Sequence, residues 1–297
     1  MKQRVITVFL FCAMGLLLVF SAQAAQASRL ALQLCAYSVI PSLFPFFVLS
    51  SLFVTLSPSI LFPRAVSRVA NRVLGCGDEG VSVFFLGILG GYPLGARTIA
   101  QMYKKGRLRS ESAQHLLLFC NNAGPAFILG MVGLGRFNSL RIGAYLYLIH
   151  VFCAALLGIL LPKKQPVTAT PHLSVSTPSF ASALVDSIAG AGSSMVQICS
   201  FVVFFVTLLQ LLIHLTGISH PLLLGFVELT NGVMQLETTR FDFSLAAALL
   251  GWGGISVHLQ TAAALQDTPV HFRRYLLAKA AHAILSFCIA FTISSRF

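Results

Sequence analysis

The feature that most constrains this chain is a series of long apolar runs without a charged residue. Most of these runs meet or exceed the roughly 20 apolar residues that one helix needs to cross the hydrocarbon of a bilayer. Water therefore cannot be the main solvent of the folded chain. The runs cover residues 5–27, 30–63, 112–135, 142–162, 187–227 and 243–266.

Composition leads to the same conclusion, since 57% of the residues are hydrophobic, 9% are charged and the mean hydropathy is +0.85. About one-quarter of the residues in a typical soluble domain are charged. In lipid, only helices and closed barrels satisfy their own backbone hydrogen bonds, and these runs lack the alternation of barrel strands. The sequence predicts an all-α fold, a polytopic bundle of membrane helices with membrane lipid around it.

The formal net charge of +12 does not indicate nucleic-acid binding. Lys and Arg residues form short clusters between the apolar runs, as expected for loops on the cytoplasmic side of a membrane. The cluster from Lys104 to Arg109 is of this kind. The residues Arg64, Arg68 and Arg72 share one helical face and predict either an interfacial helix or a solvated basic loop.

Motifs for catalysis or metal binding are absent from the sequence. The seven cysteines never stand at CxxC spacing, and neither HExxH nor GxSxG occurs. Residues 90–97 match a phosphate-binding loop only in the spacing of their glycines. We therefore expect no enzyme activity, no cofactor, no metal and no disulfide framework.

Glycine, proline and amide residues interrupt several apolar runs and predict discontinuous or re-entrant helices. In a first half, residues 1–161, we expect breaks near 41–45, 90–97 and 121–125. A Pro/Ser/Thr-rich linker, 162–180, precedes a second half, 181–297, with breaks near 228–232 and 251–258. The repeated order suggests two inverted repeats.

The first apolar segment admits two interpretations. Residues 22–24 resemble a signal-peptidase site, so the segment is either removed or kept as the first helix. We favour the retained helix.

Breaks in membrane helices are tolerated beside protein-lined cavities, and the amino ends of half-helices attract anions. Arg97 follows one break and would reinforce anion binding, or else it begins the basic cluster. Asn121 and Asn122 would present amides to a solute, or would cap a helix and bond a neighbouring one. All three are predicted substrate-binding residues.

Three further candidates lie in the second half. Glu228 is a carboxylate in an apolar stretch and is interpreted as a proton or cation site, with an interfacial position as the alternative. Asn231 and His258 complete the predicted substrate site, although a single His on an apolar helix also serves in packing.

Four motifs stand at the interruptions of the apolar runs: PSLFPF at 41–46, GYPLGA at 91–96, NNAGP at 121–125 and GGISVH at 253–258. Together they resemble the sporulation integral membrane protein YlbJ family over nearly the whole chain. The family resembles a wider nucleoside-recognition or Gate domain group, which includes spore maturation proteins, the gate region of ferrous iron transporters and concentrative nucleoside transporters.

The resemblance implies a role in sporulation, at the bacterial cell membrane or a membrane around the forespore. It implies transport of a small solute, with dipicolinate or a similar organic anion first among candidates, and nucleoside transport as a further alternative. A membrane scaffold that recruits proteins, or an accessory subunit of a pore, remains open, as do membrane-protein partners or a homo-oligomer.

Overall fold

The computed structural model describes residues 2–56, 64–161 and 178–294, and every regular element in these ranges is helical. The all-α membrane bundle is thus confirmed. Most of the predicted linker, residues 162–177, lies outside the described residues. The α-helices are α1 (Lys2–Val19), α2 (Ser21–Leu34), α3 (Ile40–Leu56), α4 (Arg64–Leu74), α5 (Gly77–Gly90), α6 (Leu94–Lys104), α7 (Ser110–Cys120), α8 (Leu140–Leu160), α9 (Phe180–Thr216), α10 (Pro221–Val227), α11 (Leu229–Met234), α12 (Arg240–Trp252), α13 (Gly254–Ala264) and α14 (Phe272–Ser294).

Within the described ranges, four segments are long and apolar enough to cross a bilayer, and two bent helix pairs raise the number of candidate spans to six. The four are Leu140–Leu160, Phe180–Thr216, Arg240–Ala264 and Phe272–Ser294. Their outer faces carry large exposed apolar side chains, such as Leu277, Ile284 and Phe291 on α14. Such faces are stable only against lipid, so the protein is a multi-pass integral membrane protein.

The first long helical segment runs without interruption across the two prolines at 41 and 45. A π-helical segment, Cys35–Val39, joins α2 to α3, and the backbone N–H of Ile40 donates to the carbonyl of Cys35. Pro41 and Pro45 have no N–H to donate, and a wider helical turn just before them absorbs that loss. The chain thus widens near the predicted break at 41–45 and does not leave the helix there.

A first helical hairpin, here called hairpin 1, consists of α5, a turn at Gly91–Pro93 and α6. Its arms approach closely because both carry glycine: a Cβ atom on Gly87 would lie 3.5 Å from the Cα of Gly95. Gly91 takes φ +83°, which glycine adopts without strain. The next helix, α7, ends at Cys120, and the non-helical stretch 121–124, called break 1, leads through Pro125 into a π-helical segment, Ala126–Arg136.

A second hairpin, hairpin 2, consists of α10, Glu228 and α11. Gly225 and Gly232 face each other across it, since a Cβ atom on Gly232 would lie 2.1 Å from the Cα of Gly225. Helix α12 then ends at Gly253, with φ +93°, and α13 follows directly. This interruption is called break 2.

The same order of elements thus occurs twice: a long helical segment, a hairpin, an interrupted helix and a spanning helix. The first set spans 21–160 and the second spans 180–294. How the two sets are oriented across the bilayer stays a prediction.

The arginine-rich stretch, predicted as either an interfacial helix or a basic loop, is α4. It is a helix, and Arg68 and Arg72 lie exposed on it. This agrees with the interfacial-helix interpretation and not with a basic loop.

The basic loop after α6 is held by two ion pairs. Arg107 donates from Nη2 to Oε2 of Glu79 at 2.7 Å in a largely buried pair, and exposed Lys104 contacts Asp267 at 2.8 Å. Burial and the neighbouring Arg107 lower the pKa of Lys105 in this loop. The first pair joins the α6–α7 connection to α5, and the second joins the end of α6 to the α13–α14 connection.

We predict that Gly95→Ala destabilises the protein by about 1–3 kcal/mol, because its Cβ atom would meet the carbonyl oxygen of Cys120 at 2.1 Å. Gly192→Ala is the matched control, since a Cβ atom there meets nothing within 4 Å and alanine favours a helix. Thermal unfolding in detergent measures both variants. Equal midpoints for the two would contradict the close packing at Gly95.

Candidate functional site

The turns of the hairpins meet the breaks in the middle of the bundle. A Cβ atom on Gly91, at the turn of hairpin 1, would lie 2.9 Å from the backbone nitrogen of Gly124 in break 1. A Cβ atom on Gly254, next to break 2, would lie 3.0 Å from the nitrogen of Leu229 in hairpin 2. Each hairpin therefore touches the interrupted helix that follows it in the chain.

Both hairpins and both interrupted helices surround one cavity of about 570 Å³, called the central cavity. The first residues of the π-helical segment after break 1 line it, so that the amino end of this segment opens onto the cavity. The wall is mostly apolar with a few polar groups, which is typical of small-molecule sites. Polar or aromatic side chains in the wall include Ser38, Tyr92, Phe127, Glu228, Thr230 and Gln260.

Asn121 in break 1 makes hydrogen bonds to residues of three other elements, α6, α13 and α14. Its Oδ1 accepts a hydrogen bond from the backbone nitrogen of Ala96 in hairpin 1, at 3.3 Å. Its Nδ2 donates to Thr261 Oγ1 at 2.9 Å and to the hydroxyl of Tyr275 at 3.1 Å. The amide thus satisfies polar groups that the break would leave without partners in lipid.

Lys279 on α14 lies next to this amide and is only 1% exposed. Its Nζ donates to the backbone oxygen of Asn121 at 3.3 Å and lies 3.2 Å from Nδ1 of His282. The same atom stands 4.9 Å from the ring centroid of Tyr92, whose ring lines the central cavity. The Tyr92 side chain therefore lies between Lys279 and the central cavity.

Two stacked histidines, with ring centroids 4.5 Å apart, continue the polar cluster. His282 Nε2 lies 3.1 Å from the carbonyl oxygen of His150, which can only accept, so Nε2 carries a proton; Nδ1 lies 3.2 Å from Lys279 Nζ. His150 Nε2 accepts from the backbone nitrogen of Ala123 at 3.0 Å, so its proton is on Nδ1. This bonding pattern makes the His150 ring neutral.

Glu228 is the predicted residue that lines the central cavity itself. Its carboxylate caps α11 by accepting from the backbone nitrogen of Asn231 at 2.8 Å. The side-chain Nδ2 of Asn231 is buried without a hydrogen-bond partner. The structure thus brings these two predicted residues together at hairpin 2.

His258 and Asn121 meet through Tyr275, whose hydroxyl lies 3.1 Å from His258 Nδ1. His258 Nε2 is buried without a partner. Asn122 makes a local bond, from Nδ2 to the oxygen of Phe119 at 2.7 Å. These side chains lie behind the cavity wall.

Arg97 lies away from the other predicted residues. Its guanidinium stacks over the ring of Phe47 at 5.1 Å and points toward α9, where a Cβ atom on Gly190 would lie 3.1 Å from Nη2. Its Nη1 is buried and has no partner. Arg97 thus belongs to the packing between α6, α3 and α9.

Sequence reasoning missed the polar face of α14, although a signal for it exists. Lys279 is the single charge in the run from 275 to 294. Ionisable residues inside spanning helices are functional candidates by default. The polar residues of this helix repeat at spacings of four, three and four, which places them on one face: Tyr275, Lys279, His282 and Ser286.

Comparison with known proteins identifies one curated relative, the sporulation integral membrane protein YlbJ of Bacillus subtilis (strain 168). It is 24% identical to this chain over an alignment of 301 positions, which covers 86% of the chain and 73% of the relative. No family model matches the chain. No solved structure matches it either.

We predict that Asn121→Ala destabilises the protein by about 3 kcal/mol, because Ala96, Thr261 and Tyr275 lose their shared buried partner. Asn122→Ala is the matched control and costs about 1 kcal/mol, since it removes one local hydrogen bond. Intrinsic fluorescence during heating in detergent reports both. If Asn122→Ala were as unstable as Asn121→Ala, the Asn121 amide would have no special role in stability.

Proposed function

We propose that this chain is a member of the YlbJ family of sporulation integral membrane proteins and that it transports a small organic anion across a membrane around the forespore. The observation that carries this proposal is the convergence of two hairpins and two interrupted helices on the central cavity. Interrupted membrane helices that meet at one cavity are the usual architecture of a secondary-transporter binding site. A scaffold needs no such cavity.

The charges around the cavity support an anion as the solute. Lys279 stands one side chain behind the wall, and no carboxylate lies within 4 Å of its Nζ among the residues the structure describes. The amino end of the segment Ala126–Arg136 adds a partial positive charge at the wall itself. Both features stabilise a bound carboxylate.

Glu228 is the acidic group in the described part of the wall. The negative charge of its carboxylate is partly compensated by the backbone N–H groups at the amino end of α11, which Glu228 caps. In a transporter of anions, such a carboxylate fits a site for a coupled cation or proton. Asn231, beside it, has a side-chain Nδ2 without a partner, which can donate to an anionic solute.

Dipicolinate is the first solute to test, because the family resemblance implies it and because it is a small aromatic dianion. A cavity of about 570 Å³ is large enough for such a molecule. Tyr92 and Phe127 in the wall offer ring faces for stacking, and Gln260 and Thr230 offer hydrogen bonds. A nucleoside is the alternative solute of similar size, although it does not need the positive charge of Lys279.

We predict saturable uptake of labelled dipicolinate into proteoliposomes that contain the purified protein. Gln260→Leu is expected to raise the KM for dipicolinate about tenfold, because one hydrogen bond to a charged ligand is lost in the cavity. Gln197→Leu is the matched control, since Gln197 is exposed on α9. Uridine serves as the competing solute.

Each outcome of this experiment decides between functions. Saturable uptake of uridine but not of dipicolinate would indicate that the protein transports nucleosides. No uptake of either solute, with the protein folded and inserted, would refute transport by this chain alone and favour a scaffold or an accessory subunit. Equal KM values in the two glutamine variants would remove Gln260 from the site.

A further inference from the structure

We propose that Lys279 and His282 hold one proton that travels with the anion, so that the protein is a proton–anion symporter. This inference rests on the proposed function and identifies the proton as the ion whose gradient drives transport. It comes from the surroundings of the Lys279 amine, which suit a cation but bring no carboxylate within 4 Å of Nζ among the described residues.

Among the described residues, the groups recorded in contact with Lys279 Nζ can each accept a hydrogen bond or attract a cation. They are the backbone oxygen of Asn121 at 3.3 Å, Nδ1 of His282 at 3.2 Å and the ring face of Tyr92 at 4.9 Å. A neutral amine would direct its lone pair at one of these groups. The geometry therefore matches a protonated lysine.

The groups that face Lys279 from the surrounding helices bring no negative charge. In the described ranges these are Tyr275 and His282 on its own helix, Asn121 after α7, His150 on α8, His258 on α13 and Tyr92 in hairpin 1. The bonding pattern makes His150 neutral, and His282 is neutral whenever Lys279 holds the proton. A cation buried without a counter-charge is unstable in a protein interior.

Two events relieve this instability: an anion enters the cavity, or the proton leaves. With the anion in place, the ammonium and the carboxylate stabilise each other across the Tyr92 ring. When the anion leaves, the proton passes from Lys279 Nζ to water that enters past Tyr92, which leaves a neutral amine and a hydronium ion. Binding of the next anion draws one proton back from water.

His282 gives the proton a second position. At 3.2 Å, its Nδ1 accepts the proton as the N–H bond on Nζ breaks, and His282 becomes the cation while Lys279 becomes a neutral amine. The opposite ring nitrogen keeps its bond to the oxygen of His150. The pair thus carries a single positive charge between two atoms.

The test is dipicolinate accumulation in proteoliposomes with an imposed pH gradient, alkaline inside, and with the membrane potential clamped. Symport of one proton per solute predicts about tenfold greater accumulation in the wild type for each pH unit. Protein-free vesicles give the background from diffusion of the undissociated acid. Solute exchange at equal pH, measured in parallel, reports whether each variant is folded and binds the anion.

Three variants separate the roles. Lys279→Arg keeps the cation but cannot release its proton, so exchange persists and the pH gradient no longer drives accumulation. His282→Asn keeps an acceptor for Lys279 but cannot take a proton, so the rate of gradient-driven uptake falls several-fold while exchange remains. Arg274→Gln, at an exposed position on α14, leaves both readouts unchanged.

Wild-type exchange without any response to the gradient would overturn proton coupling and leave the proposed transport intact. Full accumulation by Lys279→Arg would overturn the assignment of the proton to this residue. Absence of both exchange and uptake in the wild type would instead refute the proposed transport itself. The experiment therefore distinguishes a loss of proton coupling from an absence of anion transport.

Discussion

Backbone groups that leave a helix inside a bilayer must find partners within the protein, and the middle of this bundle is organised around that requirement. The two hairpin turns pack directly against the two helix breaks, at contacts such as Gly91 with Gly124 and Gly254 with Leu229. Glycine is needed at these crossings because a Cβ atom would hold the backbones apart. Asn121 completes the arrangement with bonds to Ala96, Thr261 and Tyr275.

The same requirement creates the chemistry of the centre. Interruption of the helices opens a cavity and places the amino end of the segment Ala126–Arg136 at its wall. Lys279 then adds a cation behind that wall, while Glu228 contributes a capped carboxylate on the side of hairpin 2. A site with a buried cation at one side and a carboxylate at another suits an anion that moves together with a small cation, which in our proposal is a proton.

Sequence alone predicts the membrane bundle well, because charge-free runs and basic loops reflect local composition. The Gly-Pro and Asn-Asn stretches also indicate where helices stop, except near Pro41 and Pro45, where a π-helical turn upstream keeps the chain helical. The partners of a side chain are less predictable. Asn121 bonds Tyr275 from 154 residues away, and Arg97 faces Phe47 because of how α6 is rotated against α3. Both depend on tertiary packing.

Accessibility of the cavity tests the central claim most directly. In a cysteine-free background, Thr230→Cys places a thiol in the cavity wall, and Ile284→Cys places one on the outer face of α14. We predict that a water-soluble, membrane-impermeant maleimide labels the cysteine at 230, that dipicolinate slows this labelling, and that the cysteine at 284 stays unlabelled. A cysteine at 230 that remains unreactive, or that reacts equally fast with dipicolinate present, would contradict a solute-binding central cavity.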